Sequence, residues 1–484
     1  MSDISQRFTR QVRNRAAELY GEPLPKDVND RLAEELEFIA DPKVYEMMLI
    51  TADVFKGIRL VTEDIPVIGY CEGFYVAYLL GLNGGINPLP PHYSCTHCKH
   101  SEFEHRNSRV GMELPEKYCP VCGNLMMGEG FNILPQWGCL YKQYYSLCYL
   151  LNTDTFSVAI EAFRKAGFTW NIREEANAVI YFSDRAELRL LSTQIAQQSS
   201  TRSEWQIATQ LLRLSDLTGV RLGQIPFNNS SDTLAVRNVL RQGNAFIGIQ
   251  SLMDKFTEKV LMHFRLNGLY DLVRLFGICR HGIGVWFGNE ELLLKNGTIT
   301  QDELPVCLED IFEYLQKAGF DKTTAIALTE QRKRTGERFS AEQENTLRSH
   351  GVPRWFISTY NKAFEMGARS RAVSDAIMAW RLLYYKLCVN LGAFYQAYLD
   401  TADIDLEYCW QICDGEKDLA LDLEEIYQDQ NGCCLKDEYT LLAAKEIMEQ
   451  GFAFRGVVRH AIEFRQIDLR KEFKSINNRK GVGA

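Results

Sequence analysis

Hydrophobic residues recur at helical spacing over much of the chain. In residues 28–39 (VNDRLAEELEFI), Leu32, Leu36 and Ile39 fall on one stripe with acidic residues opposite, which predicts a helix. From about residue 204 onward such patterns dominate, and three clear examples cover residues 205–217, 308–320 and 376–399. The second half of the chain is therefore predicted to be mostly helical.

Signals for strands and connectors lie in the first half. Residues 176–182 (ANAVIYF) are rich in apolar, β-branched and aromatic residues and predict one short strand. Residues 81–93 (GLNGGINPLPPHY) are rich in glycine and proline, so we expect a connector without regular structure. The most apolar long stretch, residues 67–86, contains Glu72 and five glycines and is predicted to be buried core or sheet, not a membrane span.

Composition narrows the class of protein. The 484 residues are 46% hydrophobic and 24% charged, close to globular averages, which excludes collagen-like, disordered and disulfide-scaffold classes. The formal net charge of −9 argues against an overall electrostatic grip on a phosphate backbone. Residues 1–15 lack the apolar core of a signal peptide, so we expect a cytoplasmic protein with no membrane partner. Its fourteen cysteines then need an explanation other than disulfides.

Charge is unevenly distributed along the chain. Residues 331–386 contain eleven Lys or Arg and five Asp or Glu, whereas residues 400–450 contain three basic and fifteen acidic residues. After residue 450 there are eight basic and three acidic residues. A basic region followed by an acidic one fits a phosphate-facing element beside a protein-facing one, but such runs are also typical of solvated faces.

Two Cys-x-x-Cys pairs form the clearest chemical signal. Cys95 and Cys98 are followed, after twenty residues, by Cys119 and Cys122, which is the four-thiolate pattern of a zinc ribbon of about residues 93–127. The alternative is two pairs of buried or redox-active cysteines. Nearby histidines that could replace a thiolate are His92, His97, His100 and His105. Four protein ligands close the coordination sphere, so the predicted zinc is structural.

Longer segments of the chain carry a resemblance to a known family. They are RAAELYGEPLPKDVNDRLAEELEFI (15–39), NPLPPHYSCTHCKHSEF (87–103), RHGIGVWFGN (280–289), GVPRWF (351–356) and WRLLYYKL (380–387). In this order they resemble segments of the PolC-type DNA polymerase III alpha subunit. The resemblance extends over nearly the whole chain.

The resemblance implies an architecture. The expected fold is α+β and mostly helical, with a degenerate palm of the polymerase-beta-like nucleotidyltransferase type in residues 1–200. The zinc ribbon is inserted in this palm, and residues 201–484 form a large helical fingers domain. From its length we expect the chain to lack the family's exonuclease, its phosphoesterase-like domain and its amino-terminal nucleic-acid modules. We expect a thumb to be absent or residual.

This chain differs from the family mainly at the positions of the catalytic carboxylates. Polymerases of this kind hold two divalent cations with converging acidic residues, because Mg²⁺ prefers octahedral oxygen coordination. Read forward without a gap from the second cysteine pair, the family's paired aspartates correspond to Cys148 and Leu150. A similar reading places Thr201 at the third acidic position. The catalytic set is therefore predicted to be lost, unless gaps bring in Asp154 and Asp184.

The family's phosphate-holding parts are also altered. Where the family has a Gly-Ser-Arg-rich turn for the triphosphate, residues 67–75 (VIGYCEGFY) keep only Gly73 in register. On the fingers helix, Arg369 and Arg371 stand at the family's Pro-Lys-x-His stretch and could still contact phosphate. The other basic residues considered for phosphate binding are Arg332, Lys333, Arg334, Arg381 and Lys386. For all of them an exposed helical cation is the alternative.

Three functions are consistent with the sequence. The favoured one is a protein of DNA replication that keeps the ribbon and the fingers scaffold, has lost nucleotidyl transfer, and binds DNA or replisome proteins. Structural zinc is its expected cofactor. The second is an active, divergent DNA polymerase with shifted carboxylates, which alone would need Mg²⁺. The third is a purely protein-binding module that uses the acidic residues 400–450.

Overall fold

A computed structural model describes the protein over most of its length. The described ranges are 3–66, 73–104, 110–135, 144–169, 171–174, 177–193, 203–228, 231–242, 246–281, 285–335, 337–363, 366–428 and 438–465.

Helices account for most of the described residues. In chain order they are α1 (Asp3–Tyr20), α2 (Lys26–Ile39), α3 (Pro42–Gly57), α4 (Tyr75–Leu79), α5 (Thr153–Lys165), α6 (Ser203–Thr218), α7 (Leu234–Gln242), α8 (Lys255–Leu261), α9 (Leu269–His281), α10 (Glu291–Lys295), α11 (Leu308–Lys317), α12 (Lys322–Thr335), α13 (Ala341–Ser349), α14 (Arg354–Lys362), α15 (Arg369–Tyr384), α16 (Leu391–Thr401), α17 (Leu406–Cys413), α18 (Leu419–Gln428), α19 (Glu438–Glu449) and α20 (Phe454–Phe464). A π-helical segment covers Tyr385–Val389. At Trp286–Glu290 the backbone is kinked, because Phe287 is extended with a ψ of 128° and Gly288 has a left-handed φ of 67°.

Two small sheets accompany the helices. Their strands are β1 (His92–Ser94), β2 (Ser101–Phe103), β3 (Met127–Glu129), β4 (Tyr145–Leu151), β5 (Asn171–Glu174), β6 (Asn177–Ser183) and β7 (Ala186–Ser192). The first sheet is antiparallel in the order β2-β1-β3. The second has the order β4-β7-β6-β5, and in it β4 and β7 run parallel while the other pairs are antiparallel.

The four-stranded sheet is covered by helices on both faces. Alternate residues of β4, among them Tyr145, Leu147 and Tyr149, pack with buried residues of α1, α3 and α5 in one apolar core. The intervening residues of β4 face α6, because side chains alternate along a strand. Helix α1 joins the first core through Phe8, whose ring stacks on Tyr45 at 4.2 Å.

The helical half has its own apolar core, centred on the contact between α9 and α15. Trp286 and Trp380 are among its largest fully buried side chains. The indole of Trp380 donates a hydrogen bond to the carbonyl of Pro226 at 2.9 Å, so its single polar atom is satisfied. Helices α11 to α14 surround a smaller cluster that contains Phe312, Leu347 and Tyr360.

The structure confirms most of the predicted elements. The helix predicted over residues 28–39 is α2, and the predicted strand is β6. The helical pattern of residues 376–399, however, is divided into α15 and α16. The backbone becomes extended at Asn390, whose side chain accepts a hydrogen bond from the Ala393 amide and thereby starts a new helix. The predicted connector ends earlier than expected, since its last two residues begin β1.

The fold is α+β and mostly helical, as predicted. Within the described ranges, no helix combines the length and the apolar character that crossing a membrane requires.

Candidate metal centre and the adjoining sheet

The four predicted metal ligands come together at one end of the small antiparallel sheet. The sulfur atoms of Cys95, Cys98, Cys119 and Cys122 all lie within 4.8 Å of one another. The Sγ–Sγ distance is 3.4 Å both for Cys95 with Cys122 and for Cys98 with Cys119. Tetrahedral zinc with Zn–S bonds of about 2.3 Å would place its sulfurs about 3.8 Å apart. The geometry therefore fits a closed four-thiolate site.

Each cysteine pair sits on the same kind of backbone turn. The residue after each pair, Lys99 or Gly123, has a positive φ, of 67° and 72°. Its amide donates to the carbonyl of the first cysteine, at 2.9 Å in both turns. The second turn uses glycine for this left-handed conformation, whereas the first tolerates lysine.

The four thiols differ in acidity. Although the backbone of His100 donates to Cys98, burial and hydrogen bonds with the other three cysteines raise the pKa of the Cys98 thiol to about 12. Hydrogen bonds from the backbone and side chain of Asn124 lower the pKa of the Cys122 thiol to about 6. Since the thiolate is the form that binds metal, the hydrogen bonds to Cys122 favour metal binding, whereas Cys98 has to lose its proton when a cation enters.

The nearby histidines have other partners or positions. His92 is fully buried, with Nε2 2.9 Å from the Tyr20 hydroxyl and Nδ1 2.8 Å from the Pro90 carbonyl. His100 lies 3.1 Å from a carboxylate oxygen of Glu102, and His97 is exposed. His105 lies outside the described residues. Among the described residues, the candidate metal ligands are thus the four cysteines.

The face of β4 that carries Cys148 and Leu150 is closed by apolar contacts. Leu150 packs with Leu191 of β7 and with Trp205 and Ala208 of α6, and all four are buried. Cys148 lies at the edge of this cluster together with Leu212. Thr201, the third predicted family position, lies outside the described residues. An apolar cluster therefore occupies the space in front of two of the three family positions.

One carboxylate, that of Glu187 on β7, lies on the same face beside this cluster. It accepts hydrogen bonds from Ser146 Oγ at 3.1 Å and from Arg189 Nη2 at 3.2 Å. Glu187 is opposite Ser146 in the register of the two parallel strands, so it is two residue pairs away from Cys148, which is opposite Arg189. Its negative charge is neutralised by a neighbouring guanidinium.

Asp154 and Asp184 are at opposite ends of the sheet. Asp184 lies in the turn before β7, and Asp154 lies in the first turn of α5, after β4. Because β4 and β7 are parallel and in register over seven residue pairs, the two aspartates are separated by roughly 20 Å. Across the described residues, the four cysteines form the one group with metal-ligand geometry.

The predicted phosphate-binding residues occupy different environments. Arg369, Arg381 and Lys386 are buried. Lys386 forms an ion pair of 2.9 Å with Glu446, and Arg381 donates to the backbone carbonyl of Glu63 at 3.1 Å. Burial lowers the pKa of Arg381 to about 10. To bind phosphate, each of these three cations would have to give up its contacts within the protein.

Arg369 has the densest contacts of this group. Its guanidinium forms ion pairs with Asp310 at 2.6 Å and with Glu313 at 3.1 Å, and it donates to the carbonyl of Asn132 at 2.5 Å. Arg371 is half-buried in the first turn of α15. The side chains of Arg332, Lys333 and Arg334 lie outside the described part of the chain. Phosphate binding by this group stays a prediction.

Two features of the structure were not predicted from the sequence. One is the closure of the β4 face by Trp205, which depends on contacts between distant segments and leaves no local signal. The other is a groove beside α1 that is lined on one side by Arg7, Arg10 and Arg15, and we call it the cationic groove. The density of arginine in residues 7–15 could have predicted it.

Fold and site together define a mostly helical α+β protein with a four-cysteine centre suited to zinc. No protein-family model matches the chain. Among curated proteins, the DNA polymerase III PolC-type of Caldanaerobacter subterraneus subsp. tengcongensis is 26% identical over 97% of this chain and 39% of its own length. The corresponding proteins of Clostridium perfringens and Listeria welshimeri are 25% and 24% identical over 95% and 91% of this chain. The chain is a divergent homologue of PolC-type DNA polymerase III and spans little more than a third of these relatives.

Proposed function

We propose that this chain is a polymerase-III-like protein of DNA replication that no longer transfers nucleotides and acts in the cytoplasm by binding DNA or replisome proteins. In this proposal, residues 1–200 are a degenerate polymerase-beta-like palm that carries the ribbon. Residues 201–484 are a fingers-like helical domain. The likeness to PolC-type proteins over almost the whole chain supports this assignment.

The closed face of β4 is the main observation that supports the proposal of lost catalysis. Nucleotidyl transfer by two metal ions needs several carboxylate oxygens that converge on a solvated space. Here a thiol, a leucine and the ring of Trp205 fill the space in front of β4, and Glu187 is neutralised by Arg189. A magnesium pair at this position would need both new carboxylates and the removal of buried apolar side chains.

Zinc has a structural role in this proposal. The four cysteines would supply every ligand, which leaves no open position for water or substrate. The ion would hold together a segment with little apolar core of its own. Apart from the ligands, the buried members of the ribbon cluster are Tyr93 and Met126.

Primer extension tests the proposal of lost catalysis. With a primed template, the four deoxynucleoside triphosphates and either Mg²⁺ or Mn²⁺, we expect no template-dependent incorporation above the buffer blank. A catalytically active polymerase III on the same primed template is the positive control. Incorporation that follows the template sequence and is retained through purification would refute the proposal and favour the divergent polymerase.

A specific observation favours the third function as an alternative. Helix α18 lies in the acidic region and exposes Leu421 and Tyr427, each 63% accessible, next to the exposed acidic residues Glu424 and Glu425. Large exposed apolar patches mark protein-binding faces, and in this alternative the two side chains would belong to such a patch on an acidic surface. Failure of the full chain to retain primed or single-stranded DNA even at low salt would favour this alternative over DNA binding.

A further inference from the structure

A cationic groove runs between α1 and the carboxyl end of α3. It has a volume of about 870 Å³. Helix α1 buries Phe8, Val12 and Ala16, which are spaced four residues apart, against the core. The arginines of α1 are therefore held on its outer side, and Arg7, Arg10 and Arg15 line the groove. The opposite wall contributes Lys56 and Arg59.

Positive charge exceeds negative charge in this groove. Five basic residues line it, against the three acidic residues Glu18, Asp53 and Glu63. Asp53 pairs with Arg7 at 2.6 Å and Glu18 pairs with Arg15 at 2.7 Å, and all four side chains are about half exposed or more. Such exposed pairs contribute only about 0–1 kcal/mol, so a stronger anion can displace them.

Three cations in the groove have no carboxylate partner among the described residues. They are Arg10, Lys56 and Arg59, and all three are exposed. Arg59 also has a φ of 58°, a left-handed conformation that glycine adopts at lower energy. The groove carries a net positive charge in a chain whose formal net charge is −9.

We infer that this groove binds the sugar-phosphate backbone of a nucleic-acid strand. Arg7 and Arg15 are eight residues apart on α1, which is about 12 Å along the helix axis. A strand presents one phosphate per about 3.4 Å of duplex axis, so this row of cations can neutralise several successive phosphates. The groove floor includes Leu60, which is partly exposed and can contact the apolar face of a sugar. The inference rests on the proposed function, in which the protein contacts DNA.

Neutralising the three partnerless cations tests the groove. The variant Arg10→Gln/Lys56→Gln/Arg59→Gln replaces each cation with a shorter, neutral and polar side chain and introduces no glycine or proline. Binding of a fluorescein-labelled oligo(dT) to the full chain is measured by anisotropy between about 50 and 200 mM salt. We expect roughly tenfold or more weaker binding at the lowest salt. The slope of log K against log salt should fall by about two, because each phosphate contact on a single strand contributes about 0.7.

A matched control removes the same number of exposed cations elsewhere. Lys295→Gln/Lys417→Gln/Arg459→Gln changes three helical-half residues that are exposed and have no ion pair in the described structure. It should bind oligo(dT) like the wild type. Both variants should keep the wild-type thermal midpoint and zinc content, which separates lost contacts from misfolding.

The remaining outcomes overturn the inference in distinguishable ways. If the wild type binds oligo(dT) and the groove variant binds equally well, the groove is not the site, while DNA binding itself stands. If the wild type does not bind oligo(dT), the groove inference and the DNA-binding part of the proposed function both fail. If labelled poly-glutamate binds the wild type but not the groove variant, and oligo(dT) binds both equally, the groove takes an acidic protein segment instead.

Discussion

Replacing Cys95 and Cys98 with serine should reduce the zinc content from about one equivalent per chain to none. Serine removes two of four thiolates, and the remaining pair does not complete a tetrahedral site. Binding of structural zinc provides about 10–16 kcal/mol in small metal-dependent folds. The ribbon has few other sources of stability, because its three strands have three residues each and its buried cluster is largely the cysteines themselves.

The expected structural result is local unfolding of the ribbon. Residues 93–127 should lose protection from hydrogen exchange and become sensitive to protease, while protection in α9 and α15 persists. Metal content is measured by plasma emission spectrometry of the purified full chain. The control Cys388→Ser/Cys413→Ser changes two cysteines outside the cluster and should retain the metal. Full zinc occupancy in the Cys95/Cys98 variant, or a wild type purified without chelator that contains no zinc, would contradict the assignment.

Replacing Arg369 with methionine should lower the free energy of unfolding by about 3–5 kcal/mol. The guanidinium is buried and is shared by Asp310 and Glu313, and the backbone amide of Arg369 also donates to Glu309. Methionine preserves much of the volume but leaves these carboxylates without their cation. Removing one partner of a buried ion pair is costly because the other charge remains uncompensated.

Urea unfolding followed by tryptophan fluorescence and circular dichroism measures this effect. Arg354→Met is the matched control, since Arg354 is exposed on α14 without an ion pair in the described structure. Its unfolding free energy should change by no more than about 0.5 kcal/mol. If Arg369→Met instead weakened DNA binding with less than about 1 kcal/mol of destabilisation, Arg369 would be a phosphate ligand and not a structural cation.

The sequence predicted those features whose causes are local. Both cysteine turns depend on residues within six positions of each other, so their spacing predicted a cluster that the fold brings together. Helix α2 and strand β6 follow from short periodic patterns. The division of the pattern 376–399 at Asn390 was also a local event, but a capping side chain within an apolar stretch gives a weak signal.

Features that depend on distant partners were not predictable in the same way. Arg369 is basic and begins a helix, which is consistent with phosphate binding, but its partners Asp310 and Glu313 are more than fifty residues away in the sequence. The environment of Leu150 likewise depends on Trp205, more than fifty residues downstream. Periodicity indicates that such residues are on one face of an element, whereas only the folded chain defines what that face contacts.

The hydrogen bond between Tyr20 and His92 has a mechanical consequence. Tyr20 is the last residue of α1, and His92 is the first residue of the strand that leads into Cys95. Both rings are buried, so this bond is shielded from competing water. This bond joins the carboxyl end of the arginine-bearing helix to the strand that leads into the thiolate cluster, so we expect unfolding of the ribbon to loosen the end of α1 as well.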